Sequence, residues 1–174
     1  MLKHSGITTS INLTVGSLFL FQVSGYLGIL FYYDVNPSNA GVVVFILSSA
    51  AIHIGLWIFL STMHDHFILL ETGEKLRHIN FANKLTLFRI SSIPTVTLLL
   101  ILVHTHPVLP LLGPFIAALF LTDLFDGAIA RGSRQITRIG KYLDSISDYS
   151  ILIVVSVVMA FYGIIPDWFF LLVS

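Results

Sequence analysis

Cysteine is absent from the 174-residue chain, so its sequence supports neither a disulfide framework nor a thiolate metal site. Charge is also scarce, because Asp, Glu, Lys and Arg make up only 10% of the residues, against about 25% in a typical soluble domain. The 9 acidic and 9 basic residues cancel, so the total charge indicates no partner, nucleic acid included. With 56% hydrophobic residues, the composition excludes the soluble globular class and indicates an integral membrane protein.

The apolar residues form long runs, and a run of about 20 residues can cross a bilayer as one helix. We therefore predict an all-α fold, a polytopic transmembrane helix bundle of about five spans, in which Pro94 kinks the third. A cleaved signal peptide is disfavoured, because no small-x-small cleavage site follows the first run. The five predicted spans cover residues 11–33, 41–62, 84–103, 108–130 and 140–162, and a sixth apolar run starts at Trp168.

Positive charge falls on one side of this predicted bundle. The turns around Asp34, His104 and Pro166 carry no lysine or arginine. All the basic residues lie in the other connections or within about two turns of the adjoining helix ends, which places these connections in the cytoplasm. These residues are Lys3, Lys75, Arg77, Lys84, Arg89, Arg131, Arg134, Arg138 and Lys141. The chain is thus predicted to be a multi-pass protein, of the plasma (inner) membrane if its source is bacterial.

The segment 121–148 holds 4 of the acidic and 4 of the basic residues between two apolar runs. Residues three or four apart share a helix face, so its residues form one stripe on each of two helices. The first stripe is Asp123, Asp126, Gly127, Ala130 and Arg131, and the second is Gly140, Asp144 and Asp148. An antiparallel hairpin is expected to bring the four carboxylates together at the cytoplasmic interface. The small residues would permit a helix or a bulky ligand to approach closely.

Four ionised carboxylates cannot share a site without cations. The nearest basic residue on the two stripes is Arg131, which offers one positive charge against four negative ones. An all-oxygen donor set favours Mg²⁺, Mn²⁺ or Ca²⁺ over zinc, and two such ions about 4 Å apart commonly serve displacement at phosphorus. The neighbouring cations suit an anionic, phosphate-bearing substrate; they are Arg131, Arg134, Arg138 and Lys141.

Two other interpretations of the acidic stripes stay open. Charged residues near helix ends often anchor a helix at the membrane interface, which would make the aspartates structural. Transporters also use carboxylates inside the membrane for protons or cations. The matched spacing of four aspartates, with glycine and arginine among them, favours catalysis over both alternatives.

The residues from Asp123 to Asp148 form the pattern D-x2-D-G-x2-A-R-x8-G-x3-D-x3-D. This pattern resembles the signature of the CDP-alcohol phosphatidyltransferase family at every fixed position and every spacing. A weaker resemblance is N-x-L-T-x2-R, from Asn83 to Arg89, which is similar to the sequence that enters the family's first core helix. Together the resemblances cover about residues 83–162 and leave out the first two spans.

The resemblance implies transfer of a phosphatidyl group, or a related phosphoryl group, from a CDP-linked donor such as CDP-diacylglycerol to a small polar alcohol. CMP would be released, in phospholipid biosynthesis. The acceptor stays open, since the segment 85–89 is similar to glycerol-phosphate-using members and the segment 143–145 to serine- or inositol-using members. The implied partners are the lipid donor, the alcohol and membrane lipids, and a homodimer is compatible with the resemblance.

The resemblance also assigns a role to each residue of the stripes. Two divalent cations, Mg²⁺ or Mn²⁺, would be bound by Asp123, Asp126 and Asp144. Asp148 would be the general base and would share a metal. Gly127, Ala130, Arg131 and Gly140 would line the pocket for the CDP moiety.

From the resemblance, we predict that the chain consists of two parts. Residues 1–82 would be two additional transmembrane helices with a cytoplasmic connection, and residues 83–174 would be part of the family core. That core has six transmembrane helices in the family, whereas three complete runs and the start of another follow Asn83. The sequence therefore predicts a C-terminally truncated member. The alternative function is a non-catalytic membrane protein or a cation transporter that uses the acidic hairpin.

Overall fold

The computed structural model describes residues 5–161 and residue 163. The described chain is helical, apart from turns and two isolated bridges between loops, and the predicted all-α membrane fold is confirmed. Its helices are α1 (Ser5–Tyr33), α2 (Ala40–Thr62), α3 (Phe81–Ser91), α4 (Ile93–Leu102), α5 (Leu109–Gly132) and α6 (Arg138–Phe161). A short 3-10 turn, His64–His66, follows α2.

Four stretches of the described chain are long and apolar enough to cross a membrane, namely α1, α2, α3 with α4, and α5. They coincide with the first four predicted spans to within a few residues, so the chain is a multi-pass membrane protein. The fifth predicted span corresponds to α6, whose 24 residues carry their charges in the first half. The sixth predicted run, from Trp168, lies outside the described residues.

The third predicted span is interrupted at Ser92, where α3 ends and α4 begins. Pro94 lies in the first turn of α4, and it has no N–H with which to continue the hydrogen bonding of α3. The hydroxyls of Ser91 and Ser92 donate to the carbonyl of Phe88 at 3.1 and 2.8 Å, and bonds of this kind bend helices. The predicted kink at this proline is confirmed.

Helix α3 lies at the centre of the acidic half of the molecule. Among the described residues, α5 and α6 both pack mainly on α3 and touch each other much less. The predicted hairpin therefore exists as two helices with α3 between them. One buried apolar cluster joins Ile11 of α1, Leu60 of α2, Leu87 of α3 and Leu143 of α6. The first two helices thus share a core with α3 and with α6, which carries the second acidic stripe, and close van der Waals packing stabilises such contacts between membrane helices.

The turn between α5 and α6 is held by hydrogen bonds on both of its sides. Helix α5 ends in a Schellman motif, in which Arg134 adopts a φ of 54° and the next N–H, of Gln135, donates to the carbonyl of Ala130 at 3.0 Å. The connection between α2 and α3 lies along the same turn. Its Leu70 N–H donates to the carbonyl of Ile136 at 2.9 Å, and the Asn80 amide donates to the carbonyl of Gln135 at 2.8 Å.

Candidate active site

Three of the four carboxylates predicted to come together do converge, between the C-terminal half of α5 and the N-terminal half of α6. Asp123, Asp126 and Asp144 each offer an oxygen, and these oxygens lie within 4.8 Å of one another. Asp126 is only 5% exposed, whereas the side chains of Asp123 and Asp144 are 41% and 55% exposed. The three oxygens fit one hard divalent cation, which prefers oxygen ligands and reaches this set from the exposed side.

A guanidinium from α3 lies in the same cluster. Arg89 has a side chain only 3% exposed. It pairs with Asp123, with Asp144 at 3.2 Å and with Asp148 at 3.3 Å, and its Nε–H donates to the hydroxyl of Ser147. Because all three guanidinium nitrogens are engaged, the side chain is held in one orientation. A buried arginine needs such pairing, and here it supplies a positive charge to the acidic stripes.

The fourth predicted carboxylate, Asp148, stands one helical turn beyond Asp144 and outside the group of three. Its side chain is 61% exposed, and Arg89 joins it to the rest of the cluster. The Asp148 carboxylate is therefore accessible from outside the cluster. The structure thus separates Asp148 from the three convergent oxygens, and its assigned role as base stays a prediction.

Residues of α3 complete the cluster. The Thr86 hydroxyl donates to Oδ2 of Asp126 at 2.8 Å, and a bond of this kind orients a ligating carboxylate. In the sequence, Arg131 is the nearest basic residue on the two stripes, and no role was predicted for Thr86 or Arg89. A signal for them existed in the weaker motif, because Asn83, Thr86 and Arg89 are spaced by three and lie along one side of a helix.

A cleft of about 250 Å³ opens beside Asp126 and Asp144, toward the α5–α6 turn. We call it the polar cleft because most of the residues that line it are polar or charged. All four residues predicted for the CDP pocket line it, namely Gly127, Ala130, Arg131 and Gly140. Of the four predicted cations, Arg131 and Lys141 line the cleft, while Arg134 occupies the turn and Arg138 bonds Ile68 through its backbone N–H. The cleft therefore combines positive charge with small side chains, which suits a phosphate-bearing group.

Gly140 has a packing role that explains its place beside the cleft. A Cβ at this position would lie 2.6 Å from Oδ1 of Asn83 and 2.8 Å from Oγ1 of Thr137. Thr137 caps the N-terminus of α6, because its hydroxyl accepts the N–H of Gly140 at 2.9 Å. The same hydroxyl accepts the Asn83 amide at 2.9 Å. Only glycine at 140 lets α6 approach α3 with this network in place.

A second cleft, of about 410 Å³, opens on the opposite side of the acidic cluster between α4, α5 and α6. Three polar side chains form one end of it, those of Arg89, Asp123 and Asp148. Its other walls are apolar and come from Val96, Ile116, Leu119, Phe120, Ile151, Leu152 and Val155. The charged centre consequently stands between a polar cleft near the turn and an apolar cleft deeper in the bundle.

The fold and the site together define a multi-pass membrane protein with a cluster of carboxylates that lies beside both a polar and an apolar cleft. Residues 79–174 match the family model of the CDP-alcohol phosphatidyltransferases. Because this match covers more than half of the chain, the protein belongs to that family, as the pattern in segment 121–148 predicted.

Curated relatives support the same assignment. The chain is 40% identical over 70 residues to the CDP-diacylglycerol–glycerol-3-phosphate 3-phosphatidyltransferase of Rickettsia bellii (strain RML369-C), covering 40% of this chain and 38% of that protein. It is 38% identical over 85 residues to the protein of the same name from Escherichia coli (strain K12), covering 46% of this chain and 43% of the relative. The chain thus spans well under half the length of these relatives. No solved structure matches it.

Proposed function

We propose that the protein transfers a phosphatidyl group from CDP-diacylglycerol to a small polar alcohol, releasing CMP, in phospholipid biosynthesis. The observation that carries this proposal is the position of the acidic cluster between a polar cleft and an apolar one. A CDP-linked lipid has the same division, since a charged nucleotide and an apolar diacylglycerol meet at its pyrophosphate. Membership in the family adds independent support.

Asp123, Asp126 and Asp144 would hold two divalent cations, Mg²⁺ or Mn²⁺, with Asp148 as a further ligand. The convergence of three carboxylate oxygens supports this role. When bound, such cations neutralise pyrophosphate charge and stabilise the charge that develops on the departing CMP. The bond from Thr86 orients Asp126 for ligation.

The nucleotide end of the donor would occupy the polar cleft. Arg131 and Lys141 line it and offer charge-assisted hydrogen bonds to phosphate oxygens. Gly127 and Ala130 leave room beside the backbone of α5. The diacylglycerol end would lie in the apolar cleft, whose walls come from membrane-spanning helices. By the distribution of lysine and arginine, this site lies on the cytoplasmic side.

Asp148 would act as the general base. Its carboxylate accepts the proton of the acceptor hydroxyl, and the hydroxyl oxygen attacks the phosphorus that carries the diacylglycerol. The bond from that phosphorus to the bridging pyrophosphate oxygen breaks, and CMP leaves with that oxygen. The contact with Arg89 at 3.3 Å holds the carboxylate beside the reacting groups, and its 61% exposure leaves it open to the alcohol.

We propose glycerol 3-phosphate as the acceptor to test first, because the relatives named above carry it in their names. We further propose that residues 83–174 form the catalytic part of the chain and that residues 1–82 are an addition to it.

The test is CMP release by the purified protein in lipid nanodiscs with CDP-diacylglycerol, Mg²⁺ or Mn²⁺, and glycerol 3-phosphate, followed by other polar alcohols. Asp148→Asn is expected to lower turnover by about 10²–10⁴-fold, the contribution typical of a general base. Asp34→Asn is the matched control, because Asp34 lies in the turn between α1 and α2. A folded wild-type protein that releases no CMP with any acceptor would refute the proposal.

A further inference from the structure

A buried amide on α1 bonds to the break between α3 and α4. Gln22 is 1% exposed and lies in an otherwise apolar stretch of its helix. Its Nε2 donates to the hydroxyl of Ser92 at 3.0 Å and to that of Ser91 at 3.3 Å, and its Oε1 accepts the hydroxyl of Thr95. One side chain thereby joins the last residue of α3, the residue of the break and the first turn of α4.

These bonds lie at the junction of α3 and α4, where the backbone hydrogen bonding of the helix is incomplete. Pro94 removes one of the backbone hydrogen bonds that would continue α3 into α4. The N–H groups of Ser92 and Val96 still donate to Phe88 and Ser92 at 3.0 Å each, and side-chain bonds add to these in setting the angle between the two helices. Ser91 and Ser92 each donate to the carbonyl of Phe88 and accept from Gln22. With no water in the hydrocarbon region to replace these partners, the network favours one angle.

The same part of α1 also contacts the residue that precedes Arg89. The ring of Phe21 packs edge-on against that of Phe88, with centroids 5.6 Å apart. Phe21 therefore contacts the residue directly before Arg89, and Gln22 bonds the residues two and three positions after it. Since Arg89 must meet Asp123, Asp144 and Asp148 at once, a small rotation of α3 would break at least one of these contacts.

We propose that Gln22 is a positioning residue, which fixes the α3–α4 angle and through it the placement of Arg89 across the carboxylates of α5 and α6. This gives the first helix, which lies outside the motifs of the active site, a function in the reaction. The catalytic part of the inference rests on the proposed phosphatidyl transfer, whereas its geometric part does not.

The geometric part is tested without any assay of activity. The chain has no cysteine, so Phe81→Cys and Thr105→Cys place one spin label at the start of α3 and another beyond the end of α4. Gln22→Leu keeps the bulk of the side chain and removes its hydrogen bonds, while Ser91 and Ser92 retain their bonds to Phe88. The distance distribution between the labels, measured by pulsed electron paramagnetic resonance in nanodiscs, is expected to broaden or shift.

Ser24→Ala is the matched control, because its hydroxyl bonds only within α1, to the carbonyl of Leu20 at 2.8 Å. It should leave the distance distribution as in the parent protein. An unchanged distribution in Gln22→Leu would overturn the proposal, whatever the protein catalyses.

Kinetics test the catalytic part. We expect Gln22→Leu to lower kcat for CMP release by about 10–100-fold, because a misplacement of about 1 Å can cost as much, with KM for both substrates unchanged. In an Arg89→Lys background, Gln22→Leu should lower kcat by less than about a further twofold, since both changes act on the same group. If Gln22→Leu only reduced the amount of folded protein, its fold-loss of turnover would multiply with that of Arg89→Lys.

Wild-type turnover in Gln22→Leu, or fold-losses that multiply in the double variant, would overturn the positioning role. A wild-type protein without turnover would refute the proposed function. The distance measurement would then still test whether Gln22 fixes the α3–α4 angle.

Discussion

Two pairs of consecutive helices in this molecule pair their polar groups in opposite ways. Helices α1 and α2 contain no Asp, Glu, Lys or Arg, and neutral groups join them to each other and to α4. Trp57 donates to Asn12 at 2.9 Å, and Gln22 accepts from Thr95. Helices α5 and α6 carry four aspartates and depend on a charged residue, Arg89, from a helix between them.

The difference distinguishes polar groups that join helices from charged groups that can bind a ligand. The hydrogen bonds of the first pair join neutral groups, so they leave no net charge for a ligand to balance. In the acidic pair, four carboxylates meet one guanidinium, and the remaining negative charge calls for cations from outside the chain. In the proposed function, this uncompensated negative charge makes the second pair the site of reaction and the first pair its support.

The largest effect is expected from removal of one of the three convergent carboxylates. Asp126→Ala takes away the buried ligand, so CMP release should fall below detection, and Mn²⁺ should no longer raise the thermal stability of the protein. Wild type should gain about 2.7 kcal/mol at a Mn²⁺ concentration 100 times its Kd. Thermal unfolding with and without Mn²⁺ measures this. Retained turnover in Asp126→Ala would contradict the ligand assignment.

Arg89→Gln is expected to lower the free energy of unfolding by about 3 kcal/mol, the lower end of the range for breaking a buried ion pair. The lower end applies because the partner carboxylates are half-exposed. Mn²⁺ should restore part of this loss, since a cation can take over the neutralisation of Asp123, Asp144 and Asp148. Chemical unfolding in detergent, with Mn²⁺ and with a chelator, gives both values. An Arg89→Gln protein as stable as wild type without metal would show that the carboxylates need no internal cation.

Two glycines of the acidic stripes should respond differently to alanine. Gly140→Ala should cost about 1–3 kcal/mol of stability, as overpacking does, because the new Cβ would lie 2.6 Å from Asn83. Gly127→Ala should cost less than about 0.5 kcal/mol, since its Cβ would meet only the flexible end of Arg131 at 3.2 Å. Thermal unfolding of both variants provides the comparison. Equal losses would mean that α6 does not depend on Gly140 for its approach to α3.

The smallest effect is expected in the neutral pair. Trp57→Phe removes the bond to Asn12, and a hydrogen bond between membrane helices contributes about 0.6 kcal/mol. Stability should fall by about that amount, with turnover unchanged, as thermal unfolding and the CMP assay would show. A loss of turnover comparable to that in Asp148→Asn would remove the contrast between the two pairs.

Much of the fold could be predicted because its signals are local. Uninterrupted apolar runs between polar turns located the first four spans, and Pro94 located the kink. The acidic stripes were equally readable, since the spacing from Asp123 to Asp148 states which residues share a face. Family membership followed from the same residues. What remained hidden was the arrangement of α3 between α5 and α6, because the order of helices in a bundle depends on contacts between distant parts of the chain.

The sequence by itself determined a multi-pass helical membrane protein and the carboxylates of its centre, because helical periodicity and hydropathy act through neighbours in the chain. The resemblance of one motif indicated its family. Only the tertiary structure decided that Arg89 pairs with Asp123, Asp144 and Asp148, and that Gly140 makes room for Asn83. It also decided that Gln22 bonds the α3–α4 break. Each of these depends on side chains more than 30 positions apart in the chain, whose meeting is set by packing rather than by spacing.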